Sequence, residues 1–296
     1  MSAAPKKKEP LRGELIVVTG TSTGIGRATA QELARRGFHV LAGVRREVDA
    51  DGIRGTNLEP VMLDITNEDH IAALVQRVAT DREKRPLRAL INNAAIEMNT
   101  PIETLPLSEW RRQFEVNVFG QVAMTQALLP ALFESKGTVI NISSIGGKAA
   151  MGCYGTYAST KAALEAISDA LRRETAHLGL TVIVVEPGAV TSPMSLKVRE
   201  KGELFVREMT ADQRRRYAGM MEAMMGQAES YIDKAVSAEK AGETIADALM
   251  AKKPRTRYTI GNDARSLAMV LRFLPDRLVD KLIARSMRPY FPAGSK

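Results

Sequence analysis

A phenol and an ammonium stand four positions apart in "TYASTKAALEAI", residues 156 to 167, as Tyr157 and Lys161. On an α-helix, positions i and i+4 share one face, so the two polar ends can reach each other or a common ligand. A free tyrosine, with a pKa of about 10, is a poor acid or base near neutrality, and a lysine charge beside it favours the phenolate. At about 5 Å and an effective dielectric of about 20 the attraction is roughly 3 kcal/mol, on the order of two pKa units. That brings general acid–base catalysis within reach. The same spacing also arises by chance on solvated helices, so the elements around the pair decide between the two readings.

Those elements alternate. "ELIVVTG" (14 to 20) is a short apolar run ending in glycine, and "GRATAQELARRG" follows with helical periodicity and a closing Gly37. "HVLAGV" (39 to 44), "PVMLDI" (60 to 65), "LRALINNAA" (87 to 95), "GTVINISS" (137 to 144) and "LTVIVVEPG" (180 to 188) read as further strands. Between them lie a helix capped by Asn67, a long helix over 108 to 136 and the helix carrying Tyr157. Near-continuous apolar strands alternating with amphipathic helices predict an α/β fold: a single-domain, Rossmann-type, doubly wound parallel sheet covered on both faces. A helix (237 to 252) and a strand "RTRYTIG" (255 to 261) close the pattern.

The expected organisation is a flexible tail over 1–12, the Rossmann domain over 13–262 and a helical extension over 263–296. An insert at 191–233 interrupts the domain beyond the carboxyl end of the sixth strand, where open α/β sheets bind ligands. Its methionines (194, 209, 220, 221, 224 and 225) read either as helix core facing the sheet or as an adaptable apolar lid over a substrate. The extension has apolar residues at mixed helical spacing with arginines between them. Packing on its own domain or a sister subunit is favoured over a membrane surface.

"VVTGTSTGIGRATA" places Gly20, Thr21, Ser22, Thr23, Gly24, Ile25 and Gly26 between the first strand and its helix. Glycines there let the backbone approach a pyrophosphate, and the helix amino terminus supplies free N–H groups with partial positive charge. The spacing is G-x-x-x-G-x-G rather than the usual G-x-G-x-x-G. At the end of the second strand an acid suits the ribose of NAD and an arginine the extra phosphate of NADP. Here Val44 precedes Arg45 and Arg46, which favours NADP; NAD is the alternative, with Glu47 or Asp49 reaching the ribose. Asp64, ending the third strand beside Ile65, reads as an adenine acceptor or as a turn former.

With T-G-x-x-x-G-x-G at 19 to 26, "NNAA" at 92 to 95, Asn117, "SS" at 143 and 144, Y-x-x-x-K at 157 to 161 and "PG" at 187 and 188, the chain resembles the short-chain dehydrogenase/reductase superfamily. The resemblance covers roughly residues 13 to 262. It implies that Tyr157 is the general acid or base and that Lys161 lowers its pKa and holds the nicotinamide ribose. It also implies that Ser144 hydrogen-bonds the substrate oxygen, and that Asn117 holds a helix bend and a water linking Lys161 to solvent. The family's serine lies thirteen positions before its tyrosine, which selects Ser144 over Ser143 and Tyr157 over Tyr154. Asn93, Ala94 and Ala95 then line the adenosine half of the cofactor; Ala95 stands where the family commonly has glycine. Pro187, Gly188, Val190 and Thr191 meet the carboxamide and phosphate.

The implied reaction is hydride transfer between NADP(H) or NAD(H) and a carbonyl or alcohol, with the protein managing orientation and the proton. Within the superfamily, "FHVLAGVRR", "EPGAVTSPM" and "RYTIGNDAR" look like the branch of 17β-hydroxysteroid and retinol dehydrogenases, which points to a bulky apolar steroid-, retinoid- or lipid-like substrate. The family implies a homodimer or homotetramer.

Bulk properties narrow the rest. The chain has 296 residues, 45% of them hydrophobic, enough for a large core. The net charge of +8 is spread along it, apart from Lys6–Lys8 and Arg214–Arg216, as on a solvated surface. Nucleic-acid binding, peripheral membrane binding and a redox-sensing regulator that holds NADP without turnover are the rival readings. A pure binder has no need of the Asn117, Ser144, Tyr157 and Lys161 set. The single cysteine, Cys153, excludes an intramolecular disulfide and fits a reducing, cytoplasmic setting. No signal peptide and no run of roughly 18 apolar residues is read from the sequence. His39, His70 and His177 are too far apart in sequence to suggest a metal site.

Overall fold

The apolar runs become strands β1 (Leu15–Val18), β2 (His39–Val44), β3 (Leu58–Met62), β4 (Leu87–Asn92), β5 (Thr138–Ile142), β6 (Thr181–Pro187) and β7 (Arg257–Ile260). They pair in the order β3-β2-β1-β4-β5-β6-β7, every pair parallel, in a computed structural model that describes residues 13–292. The tail expected over 1–12 lies outside the described residues. Alternation of side chains along each strand feeds two cores. Ile16 and Val18 face one, with Val40, Ala42, Ile140 and Ile183. Leu15 and Val17 face the other, with Leu41, Leu90, Val139 and Val182.

The first core is closed by α1 (Gly24–Arg35), through Ala30 and Leu33, and by α10 (Ala238–Met250), through Ile245 and Leu249. A short α2 (Glu47–Asp51), not read from the sequence, follows β2. The second core is closed by α3 (Glu68–Ala79) and α5 (Gly120–Ser135). Asn67 caps α3, its side chain accepting from the Asp69 and His70 amides, so the boundary follows the predicted cap. On α5, Met124, Leu128 and Leu132 are fully buried, each contributing about 1.5–3 kcal/mol.

The long helix predicted over 108–136 is helical throughout but not uniform. α4 (Leu107–Phe114) and α5 are joined by a π-helical turn at Glu115–Phe119, which sequence periodicity does not reveal. Leu107–Ser135 is also the one helix among the described residues long and apolar enough to cross a membrane by length and composition, which amends the reading of no such run. Its Met124, Leu128 and Leu132 face is spent on the sheet.

The insert folds as α7 (Pro193–Leu196), α8 (Val198–Glu208) and α9 (Ala211–Ile232). After β7 come α11 (Asn262–Phe273) and α12 (Asp276–Met287); α6 (Gly155–Thr175) covers β5 and β6 on the second face. Met209, Met221, Met224, Met225 and Met287 pack with Cys153 into a third core. These methionines therefore do not face the sheet; they hold the insert to itself and to α12, while the side chain of Met194 lies outside those described. Burial pushes the Cys153 thiol up to about 12, so it packs as an inert small side chain.

The outer strand β3 is held by charge. Glu59 accepts from Arg77 Nε and Nη2 at 2.8 and 2.7 Å and contacts His39 Nε2 at 2.9 Å. The Arg77 hydrogen bonds, opposed by partial burial and helped by His39, bring its carboxyl down to about 2. A carboxylate whose pKa is depressed on folding stabilises above its unfolded value and loses that contribution as pH falls through the folded one. Glu59→Gln is expected to cost about 1–2 kcal/mol at neutral pH, after allowance for partial solvent screening. Denaturant titrations should show the deficit shrinking below pH about 4.5 and vanishing near pH 2.

Candidate active site

β1 ends at Val18, and the chain must turn sharply to enter α1. Gly20 adopts φ +68°, and a Cβ there would lie 2.8 Å from the Ala94 Cα. At Gly26 a Cβ would fall 2.3 Å from both Asn93 Nδ2 and the Gly20 carbonyl oxygen. Asn93 Nδ2 donates to the Thr19 and Gly20 carbonyls at 2.9 and 3.0 Å, and Thr19 Oγ1 accepts from the Asn93 and Ala94 amides, each at 2.9 Å. The turn is thus locked from the end of β4. α1 begins without a capping side chain and with no acid in its first turn, so its leading N–H groups are left for an anion.

β5 ends at Ile142, and Ser144 opens a 3₁₀ turn at Ile145–Gly147, its Oγ accepting from the Gly146 amide at 3.0 Å. A Cβ on Gly146 would lie 3.4 Å from Ser144 Oγ and 3.9 Å from Tyr157 Cε1, so the hydroxyl and the phenol ring meet around this glycine. Tyr157 and Lys161 lie in the first two turns of α6. Lys161 is 2% exposed; its Nζ donates to the Ile142 carbonyl at 2.8 Å and lies 5.7 Å from the centre of the Tyr157 ring.

The electrostatics differ from the sequence expectation. Burial, seconded by the charge of Glu97, raises the Tyr157 phenol well above its ordinary value, and the nearby Ser144 hydroxyl only partly opposes this. Burial outweighs the lowering expected from the Lys161 charge, whose ammonium is engaged by the Ile142 carbonyl. Burial brings Lys161 itself down to about 8.

Asn117 sits in the π turn, fully buried. Its Oδ1 accepts from the Ile96 amide at 2.8 Å; its Nδ2 donates to the Ile96 carbonyl at 2.9 Å and to Thr160 Oγ1 at 3.1 Å. It therefore joins the segment after β4 to α6 at the residue before Lys161, and it does not line the cavity.

A cavity of about 1190 Å³ runs along the carboxyl ends of the strands. It gathers Gly20, Ser22, Thr23, Gly24, Ile25, Gly26, Arg45, Asp64, Ile65, Asn93, Ala94 and Ala95 at one end, with Ser144, Tyr157, Lys161, Pro187, Gly188 and Val190 further along. Besides Asn117, three predicted residues stand apart. Thr21 is buried, its hydroxyl donating to the Gly43 carbonyl at 3.0 Å, so it shapes the turn from behind. Arg46 turns outward and pairs with Asp49 at 2.7 Å. Thr191 is exposed, its amide bonded to the Val236 carbonyl at 3.0 Å. The second strand does end at Val44 with Arg45 at the cavity wall.

The far half of the cavity was less legible. Tyr154, Phe205, Met224, Tyr231 and Ile283 line it, drawn from the residue before α6 and from α8, α9 and α12. Glu97, five residues beyond β4, also lines it; its signal in the sequence is a lone acid in the otherwise uncharged run "NNAAIEMN". A buried ion network braces the serine turn from below: Glu186 Oε1 lies 2.6 Å from Lys148 Nζ and 3.2 Å from Arg257 Nε, and Arg257 also reaches Glu165 at 2.9 Å.

Comparison with known proteins gives the same outline. The family model described as short chain dehydrogenase matches residues 14–203. A 3-amino-tetrahydro-pyrrolizinone reductase from Xenorhabdus hominickii is 33% identical over 272 residues, 90% of this chain and 93% of the relative. Retinol dehydrogenase 16 from Mus musculus is 32% identical over 283 residues, 92% of this chain and 88% of the relative. The crystal structure of a short chain dehydrogenase from Burkholderia cenocepacia in complex with NADP superposes with a TM-score of 0.71 at 26% identity, covering 93% of this chain and 98% of the other.

The Asn93 clamp can be tested directly. Asn93→Ala removes both carbonyl contacts and is expected to destabilise the chain by about 1–3 kcal/mol. Dinucleotide affinity should fall roughly tenfold as the turn relaxes. Denaturant titration and fluorescence titration with nucleotide measure the two losses separately.

Proposed function

This chain belongs to the short-chain dehydrogenase family and is an NAD(P)-dependent oxidoreductase, and from that premise we propose that it reduces the carbonyl of an apolar small molecule with NADPH, Tyr157 supplying the proton. The observation that carries the reading is the convergence of Ser144, Tyr157 and Lys161 on one wall of a cavity whose other end is a glycine cradle at a helix amino terminus. The residues present fit a dinucleotide. A side chain at Gly20 or Gly26 would strike Ala94 or Asn93, so the turn stays tight with its backbone bare, α1 offers uncapped N–H groups, and Arg45 on the cavity wall supports a contact with a ribose phosphate.

The cofactor, when bound, supplies the hydride. The chain's own residues supply the rest. The Ser144 hydroxyl donates a hydrogen bond to the substrate oxygen as negative charge develops there, and the Tyr157 hydroxyl gives it a proton. The raised phenol suits this direction, since it keeps Tyr157 protonated at neutral pH. Lys161, held by the Ile142 carbonyl and brought down to about 8, is positioned to replenish that proton, and Asn117, bonded to Thr160, fixes the first two turns of α6 on which both stand. Apolar walls from the insert and α12 support a steroid-, retinoid- or lipid-like substrate.

Tyr157→Phe is expected to lower kcat by about 10²–10⁴-fold while leaving NADPH affinity nearly unchanged. Absorbance at 340 nm with a panel of ketones and aldehydes, beside a nucleotide titration, reads both; normal turnover in the variant would remove Tyr157 from the reaction. Arg45→Ala should weaken NADPH about tenfold more than NADH, as loss of a charge-assisted phosphate contact would. The reductive rate should fall as pH rises above about 8, because Lys161 is protonated below that value and neutral above it.

A further inference from the structure

The chemistry above leaves Glu97 without a role. It lines the main cavity and also a small side recess that it shares with Asn99, Val198, Lys201, Gly202, Phe205 and Met224. Its carboxylate takes one hydrogen bond, from Asn99 Nδ2 at 2.5 Å. Among the described residues no cation lies within 4.0 Å of it. Two ammonium groups act on it from further away. Lys161 is already engaged by the Ile142 carbonyl, and Lys201 on α8 is exposed to water at the cavity wall. Together they do not offset its loss of hydration, and the Glu97 carboxyl stands above its ordinary range.

Such a group is stabilised by a counter-charge that arrives with the ligand. Its surroundings narrow what that ligand is. Glu97 lines the same cavity as Tyr154 and Tyr157, and its charge raises both phenols, so a ligand that reaches Tyr157 also meets this carboxylate. Tyr154 lines the same wall, and aromatic rings attract cations through their negative faces. The neighbouring Phe205 and Met224 are apolar, and Lys201, which also lines the recess, makes no ion pair with the carboxylate among the described residues.

We propose that Glu97 and Tyr154 form a receptor for a protonated amine carried by the substrate, a few atoms from the carbonyl that Tyr157 serves. The preferred substrates are then amino ketones, and the products amino alcohols. This selection rests on the hydride-transfer reading above and narrows its substrate class. A neutral ketone of the same size fills the same space but leaves the carboxylate without its partner.

The test compares α-aminoacetophenone, with its amine protonated, and propiophenone, in which a methyl group replaces the ammonium. Turnover with NADPH and equilibrium binding by calorimetry are measured for the wild-type chain and for Glu97→Gln. The amide keeps the shape and the Asn99 contact and removes only the charge. The wild-type chain is expected to favour the amino ketone at least tenfold in both kcat/KM and Kd, and Glu97→Gln to bring both ratios close to one. Absence of an ammonium preference in wild-type binding, or a preference that survives in Glu97→Gln, overturns the receptor. Selective binding of the amino ketone without turnover of either ketone upholds the receptor and faults the hydride-transfer reading. Turnover of propiophenone without an ammonium preference does the reverse.

Discussion

One side-chain amide, Asn93 Nδ2, bonds the Thr19 and Gly20 carbonyls, and the site is arranged around that junction. β1 and β4 are neighbours in the sheet but not in sequence: from β1 the chain winds outward through β2 and β3, then returns to the other side of β1. Loops leaving the two strands diverge there and open a crevice, the place where such sheets bind ligands. An open crevice leaves strand-end carbonyls without ladder partners. Asn93 Nδ2 satisfies two of them across the gap, and the Thr19 hydroxyl accepts from the Asn93 and Ala94 amides, which keeps the crevice open at its rim and rigid at its floor.

From this junction a run of buried polar contacts carries the register sideways to the reacting groups. Asn92 donates to Thr125 and Asn141, Asn141 donates to Ser168 on α6, Gln121 donates to the Ala94 carbonyl, and Asn117 joins Ile96 to Thr160. Each of these groups would be costly if left unpaired, so the network tolerates only one arrangement of β4, β5, α5 and α6. The π turn belongs to the same logic. It rotates Asn117 inward from a helix whose other residues follow the α repeat, at the cost of one irregular turn.

Much of this was legible because it is written in local patterns. Strand runs such as Leu15–Val18, the cap Asn67 and the glycines at 20, 24 and 26 depend on nearest neighbours and backbone geometry, which a sequence displays. The fixed spacing of Ser144, Tyr157 and Lys161 likewise survives into one cavity wall. What was not legible depends on direction. Arg45 and Arg46 are identical in type and adjacent, yet only the pleat and Asp49 decide that one faces the cavity and the other turns away. Spacing alone has Lys161 lowering the phenol through charge; in the fold its ammonium is engaged by the Ile142 carbonyl, nineteen residues back, and burial of the phenol dominates. Glu97 carries no motif, and its position emerges only when α6 and α8 close over it.

The insert explains why one half of the cavity is so much harder to read than the other. The nucleotide half is built from strand ends that share the two sheet cores, so a change there disturbs the fold itself. The far half is roofed by α8, α9 and α12, whose apolar faces meet in a separate methionine-rich core. Methionine side chains are flexible enough to repack around altered neighbours, so residues such as Phe205, Met224 and Tyr231 can vary with little consequence for the sheet. A scaffold divided this way conserves cofactor chemistry through rigid hydrogen-bonded turns while leaving substrate shape to an adaptable roof. The carboxylate of Glu97 lies where the two regimes meet, on the rigid segment after β4 but facing the adaptable one.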